Sequence, residues 1–138
     1  MDIEKITEAV KLIRNSKYMI AFTGAGVSVE SGIPPFRGEG GLWNTNHPNF
    51  VEIEYFYKKP LQSWKKIKEI FYDKLVDAEP NMAHLVLAKM EKRGFLESVI
   101  TQNIDHLHQK AGNKYVYELH GTYRRMVCTE CNSEYDMS

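Results

Sequence analysis

Apolar residues recur at spacings of three and four over Ile3, Ile6, Val10 and Ile13, one stripe of an amphipathic helix, with Asp2 placed to cap it. The run Tyr18-Met19-Ile20-Ala21-Phe22-Thr23 is short, continuous and mostly apolar. It is expected to be a strand buried on both faces of a parallel sheet. A glycine-rich turn follows at once. From Gly38 to about Pro60 no period is visible, and that stretch is expected to be a long, partly ordered loop region. Leu61, Trp64, Ile67, Phe71 and Leu75 restore a helical stripe. A further helix is expected from about Asn81 to Arg93, with Val86, Leu87 and Met90 inward and Gly94 ending it. Ser98 to Thr101 reads as a second strand. A brief helix around Asp105 to Lys110 leads to Gly112, and Tyr115 to Leu119 reads as a third strand. The tail from Arg124 onward is polar. This order predicts an open α/β sheet. No internal repeat and no low-complexity tract is present.

Composition narrows the classes. The 138 residues suit one small domain. Eighteen basic residues balance eighteen acidic ones, which argues against direct nucleic-acid binding by phosphate neutralisation and against attraction to a membrane. No apolar run approaches the roughly 18 residues of a membrane span. The charged, periodic start is unlike a secretory signal. Two cysteines three apart are not a disulfide framework, so a reducing cytoplasm is the expected location.

Four segments carry candidate chemistry. Gly24-Ala25-Gly26-Val27-Ser28 follows the first strand. Glycines there let the backbone turn tightly and approach a pyrophosphate. The third glycine of the usual dinucleotide fingerprint is absent, since Val29 stands there, and a plain strand-to-helix turn is the alternative. The chain continues through Ser31-Gly32-Ile33-Pro34-Pro35-Phe36-Arg37. A stiff Pro-Pro loop would hold Arg37 over the turn for phosphate or ribose contacts, with Phe36 shielding a reactive sugar. A solvated surface Arg is the alternative. Thr101-Gln102-Asn103-Ile104-Asp105 ends the second strand, where open α/β sheets bind ligands. Asn103 or Asp105 would equally serve as a helix cap. His120, after the third strand, suits a general base or a structural role. Cys128 and Cys131 supply two thiolates where a tetrahedral zinc takes four ligands; a redox pair or two idle thiols are the alternatives. Lys65, Lys66 and Lys68 read as a solvated face, and Tyr55, Phe56 and Tyr57 as core or loop anchors. His84, His106 and His108 are expected on helix surfaces or covering the core. Positions 106 and 108 do not share a helix face for a metal.

Together these segments resemble the sirtuin family. Its Gly-Ala-Gly-x-Ser turn stands at Gly24 to Ser28, its Ser-Gly-Ile-Pro-x-Phe-Arg segment at Ser31 to Arg37, its Thr-Gln-Asn-Ile-Asp segment at Thr101 to Asp105, its His-Gly pair at His120-Gly121 and its first zinc pair at Cys128 and Cys131. The likeness is closest to compact bacterial and archaeal members. It covers essentially all of this chain but roughly half of the family's catalytic core.

The resemblance implies a partial Rossmann-like α/β fold, an open parallel sheet with helices on both faces, over residues 1–123. Residues 124–138 would begin a small zinc-binding module. It implies an NAD-dependent protein-lysine deacetylase or deacylase, passing the acyl group to ADP-ribose and releasing nicotinamide. Gly24, Ala25, Gly26, Ser28, Phe36, Arg37, Gln102, Asn103, Ile104, Asp105 and His120 would contact NAD. His120, Asn103 and Asp105 would be catalytic, with His120 taking a proton from a ribose hydroxyl. The partner would be an acyl-lysine protein or peptide. A Tyr-x-x-Arg pair, shared by sirtuins that prefer acidic acyl groups, is absent between Tyr55 and Leu75, so an acetyl or other uncharged acyl group is expected. The family's second cysteine pair and later strands do not appear before Ser138, so the chain alone is expected to be poorly stable or inactive. The alternatives are an inactive dinucleotide-binding fragment and a mono-ADP-ribosyltransferase variant.

Overall fold

The Asp2 carboxylate accepts the Lys5 N–H, so α1 (Ile3–Asn15) starts where the capping residue placed it. The computed structural model describes residues 2–44 and 47–137. Thr45 and Asn46, inside the expected loop region, lie outside the described residues, as do Met1 and Ser138. Three strands, β1 (Ile20–Thr23), β2 (Ser98–Thr101) and β3 (Val116–Glu118), form one sheet in the order β1-β2-β3. Both pairings are parallel. Parallel neighbours need crossovers, and the long helical segment before β2 and the short one before β3 provide them.

Between β1 and β2 the chain runs through a 3-10 helix (Ala25–Ser31), two short 3-10 turns (Leu42–Asn44 and Pro48–Val51), then α2 (Ile53–Lys58) and α3 (Pro60–Ile67). A π-helical turn, Lys68–Tyr72, joins α3 to α4 (Asp73–Leu75). The next helix, α5 (Met82–Lys92), is capped by Asn81. After β2 comes α6 (Leu107–Ala111), closed by Gly112 in the left-handed region (φ 107°). The end is an antiparallel hairpin, β4 (Arg125–Val127) and β5 (Glu134–Asp136).

There are two apolar centres, one of them built largely by the loop region itself. Leu42, Phe50 and Ile70 are buried together, with Trp43, Tyr55, Ile67 and Phe71 against them. The Ser63 hydroxyl donates to the Phe50 carbonyl and fixes the start of this cluster to α3. Beneath the sheet, Val99 (0% exposed), Leu96 and Leu107 are buried.

Several expectations change. β1 is not buried on both faces: Ile20 and Phe22 are 45% and 62% exposed. β1 is an edge strand, and no described residue covers that side. The α1 stripe is real, but all four of its residues are exposed. In α5 the inward positions are His84 and Ala88, while Val86 is 45% exposed. The buried face runs along i and i+4 from a histidine, which an apolar count passes over. The loop region contains the unforeseen α2. The stripe from Leu61 to Leu75 is interrupted by the π turn, which advances the helix face by a fraction of a turn. Ile70, inside that turn, is buried, while Leu61, at the start of the stripe, is 68% exposed.

Candidate active site at the ends of the parallel strands

Parallel pairing brings the carboxyl ends of all three strands to one edge. Thr23 pairs with Thr101, and Thr101 with Glu118. The Gln102 N–H donates to the Thr23 carbonyl (3.0 Å) and the Leu119 N–H to the Thr101 carbonyl (2.9 Å). The residues that follow, the glycine turn, Gln102 to Asp105 and His120, are therefore delivered side by side by backbone register.

A buried polar network ties two of these segments together. The Ser28 hydroxyl donates to Asp105 Oδ2 at 2.6 Å. Asn103 Nδ2 donates to Ser28 Oγ (3.0 Å) and to the Gly24 carbonyl (3.2 Å). Asp105 Oδ1 accepts the Leu107 N–H at 3.0 Å. Ser28, Asn103 and Asp105 are each under a tenth exposed. A buried carboxylate is tolerated when its oxygens are satisfied, and here both are. Asp105 is thus at once the start of α6 and part of the site.

A cavity of about 270 Å³ opens beside this network. Of the expected residues, Ala25, Ser28, Phe36, Gln102, Asn103, Ile104, Asp105 and His120 line it. Gly24 stands just behind, through its carbonyl. Gly26 and Arg37 are exposed and do not form its wall. The chemistry, not the volume, selects this cavity. A larger hollow of about 770 Å³ lies between α5 and α6, lined by residues such as Lys89, Glu91 and Lys114, and it holds none of the polar set.

The loop carrying Phe36 is folded back on itself. The Leu42 and Trp43 N–H groups donate to the Pro35 and Phe36 carbonyls (2.8 and 3.0 Å). Asn44 Nδ2 donates to the Gly38 carbonyl at 2.7 Å. Gly41 is required there, because a Cβ would lie 2.9 Å from the Arg37 backbone. Phe36 stacks on Trp43 with ring centroids 5.4 Å apart and lies 6.0 Å from Phe71. Pattern reading missed the apolar wall: Ile33, Pro34, Leu42, Trp43, Val51, Phe71 and Leu75. Trp43 and Val51 sit in the stretch without a period, so no spacing signalled them. Phe71 belongs to the stripe that was legible.

The histidines also differ from expectation. His84 and His108 are 0% and 1% exposed, with ring centroids 4.8 Å apart. Burial pushes His108 down to about 4, helped by the neighbouring His84 and opposed by Asp105. His84 is lowered by burial, against the pull of Asp105. Neither is a surface group, because α5 and α6 pack face to face through them.

Cys128 and Cys131 sit in the β4–β5 turn. The Cys128 N–H donates to the Ser133 carbonyl (2.9 Å) and its own carbonyl accepts the Asn132 N–H (3.0 Å). Cys131 Sγ is 3.2 Å from Ser133 Oγ, and this hydrogen bond is the first cause that lowers the thiol's pKa, followed by the Ser133 backbone. Both thiols are free. Among the described residues no group of three or more His, Cys, Asp or Glu side chains is placed to hold a metal ion. Among the described residues no helix is long and apolar enough to cross a membrane.

Fold and site together define an open α/β protein with a buried polar network at the carboxyl ends of its parallel strands. Residues 24–138 match the family model described as the Sir2 family, and the chain belongs to that family. It is 51% identical to an NAD-dependent protein deacetylase of Saccharolobus solfataricus, over 99% of this chain and 53% of the relative. It is 46% identical to NAD-dependent protein deacylase 2 of Archaeoglobus fulgidus, over 98% of this chain and 53% of that protein. Among solved structures, a Sir2 variant with a deacetylated p53 peptide and 3'-O-acetyl-ADP-ribose superposes with TM-score 0.90 and 41% identity, over 95% of this chain and 53% of that one. A mutant Sir2 homologue in complex with ADP-ribose gives TM-score 0.89 and 44% identity, over 99% and 53%. The chain spans about half the length of the relatives it matches.

Proposed function

We propose that the chain carries the nucleotide-binding and catalytic edge of an NAD-dependent protein-lysine deacylase. The observation that carries this reading is the Ser28–Asn103–Asp105 network forming one wall of a cavity whose other sides include Phe36 and His120. The names of the relatives, deacetylases and deacylases that depend on NAD, support it, as do the ADP-ribose complexes of the structural neighbours.

The residues fit the dinucleotide. A Cβ at Gly26 would meet no atom within 4 Å, and its φ is not in the left-handed region. Nothing inside the protein calls for glycine there, so the space it leaves open serves a group from outside, such as a pyrophosphate. Gly24, Ala25, Gly26 and Ser28 would hold that end. Phe36 and Arg37 would cover the nicotinamide ribose. Gln102, Asn103, Ile104 and Asp105 would line the nicotinamide pocket, with Asn103 and Asp105 fixed before any ligand arrives. NAD supplies a ribose–nicotinamide bond that an acyl oxygen can displace. His120 would take the proton from a ribose hydroxyl.

The substrate in this reading is an acyl-lysine peptide, with the acyl group passing to ADP-ribose. An uncharged acyl group such as acetyl is the expected substrate, because the stretch from Tyr55 to Leu75 carries no Tyr-x-x-Arg pair. Cys128 and Cys131 would give two of four ligands to a structural zinc. Their turn suits this, with the β4–β5 hairpin beginning a separate module after residue 123. The two free thiols fit a reducing cytoplasm. The test is binding of ADP-ribose by calorimetry to the wild-type protein and to Gly26→Ala. The reading expects the variant to keep its melting temperature and lose binding. Equal binding by both would refute the placement of the phosphates.

A further inference from the structure

Behind the glycine turn lies a chain of polar groups that the proposed reaction does not use. Asn81 caps α5 by accepting the Ala83 N–H through Oδ1 (2.9 Å). Its other side-chain atom points away from the helix. Asn81 Nδ2 donates to the Val27 carbonyl (2.7 Å) and to Ser31 Oγ (3.0 Å). Both partners belong to the 3-10 helix that follows Gly24. The Asn81 N–H donates to His84 Nδ1 at 3.3 Å. That bond makes Nδ1 the acceptor and puts the neutral ring's proton on Nε2. The His84 ring stands edge-on to His108, centroids 4.8 Å apart. His108 Nε2 lies 2.9 Å from Thr23 Oγ1, on the last residue of β1. Two buried nitrogens are left over, His84 Nε2 and His108 Nδ1, one on each ring. The first is a donor. If the second is an acceptor, His108 carries its proton on Nε2 and donates to Thr23.

We infer that Asn81, His84 and His108 form a buried strut that sets the position of the glycine turn, and that they are positioning residues for dinucleotide binding. The strut reaches the segment from both sides: at Thr23 just before Gly24, and at Val27 and Ser31 just after Gly26. On its ligand side the turn is held by the Gln102 N–H on the Thr23 carbonyl, by Asn103 on the Gly24 carbonyl and on Ser28, and by Ser28 on Asp105. A backbone that must approach a pyrophosphate closely is sensitive to displacements well under an ångström. This inference rests on the proposed nucleotide reading of the site.

Two variants separate positioning from simple support of α5. Asn81→Ser keeps a good helix cap and adds no charge, but is too short to reach Val27. His108→Phe keeps the ring volume and loses the Thr23 contact, whereas His108→Gln places a donor where Nε2 stood. The measurement is ADP-ribose affinity by calorimetry beside the melting temperature, on the purified protein. His108→Phe, which loses one hydrogen bond, is expected to weaken binding about tenfold, and Asn81→Ser, which loses two, at least as much; His108→Gln should recover most of the loss at position 108. Their KM for NAD should rise while the KM for acyl-peptide stays unchanged. Wild-type affinity in Asn81→Ser and His108→Phe would overturn the strut and leave the nucleotide reading standing. A wild-type protein that binds no ADP-ribose would overturn both.

Discussion

Ser28 shows how one hydroxyl organises the site. It donates to Asp105 and accepts from Asn103, so it relays between a carboxylate and an amide that would otherwise be buried without each other. Ser28→Ala leaves Asp105 Oδ2 unsatisfied, which costs about 1–3 kcal/mol. The expected outcome is a lower melting temperature together with weaker ADP-ribose binding, read by calorimetry. His120 is different. It lies at the exposed side of the cavity, so His120→Ala should leave the melting temperature nearly unchanged while deacylation falls by roughly 10²–10⁴-fold, the usual weight of a general base. The fold brings to one edge the strand-end motifs that hold Gly24, Asn103, Asp105 and His120, and those motifs were legible in the sequence. Histidines 84 and 108 were not. A histidine is counted as polar in any pattern, and only the packing of two helices shows that this pair is buried.

The parallel register is what turns separate motifs into a site. Once Thr23, Thr101 and Glu118 lie in line, the three following segments have no freedom to be elsewhere. The three strands and their parallel type were readable from short apolar runs separated by glycine turns, while their order in the sheet was not read from the sequence. The loop region was not, because aromatic contacts rather than a period hold it. Phe36, Trp43, Phe50 and Phe71 contact one another, and the π turn that places Phe71 is a departure from the helical period itself. Gly41 is the weak point of this loop. Gly41→Ala forces a Cβ against the Arg37 backbone, which displaces Phe36 and Arg37 together. The expected outcome is a raised KM for NAD with intrinsic Trp43 fluorescence changed, in contrast to Gly26→Ala, where no protein atom is disturbed.

At the scale of the whole molecule, the buried histidine pair links stability to pH. His108 titrates at about 4 in the folded protein against roughly 6.5 when unfolded. Between those values the unfolded chain takes up a proton that the folded one refuses. Stability therefore falls as pH drops from about 6.5 to about 4, by roughly 3 kcal/mol at most from His108, with His84 acting in the same direction. Below the folded value no further loss comes from this group. Melting temperatures recorded between pH 7 and pH 4 should show this slope, and His108→Gln should flatten it. The apolar faces of α1 and β1 stay exposed in this chain, with Ile3 at 72% and Phe22 at 62%, so the sheet's outer side contributes little to that stability. What the described residues do complete is the strand-end edge, and the account depends on it most. The most direct measurement is steady-state formation of deacetylated peptide from an acetyl-lysine peptide and NAD, on the purified protein and on His120→Ala. Product is expected only when NAD and peptide are both present, and is expected to be lost in the variant, because the imidazole acts after nicotinamide has left. Deacetylation that persists undiminished in His120→Ala would overturn the role given to that side chain.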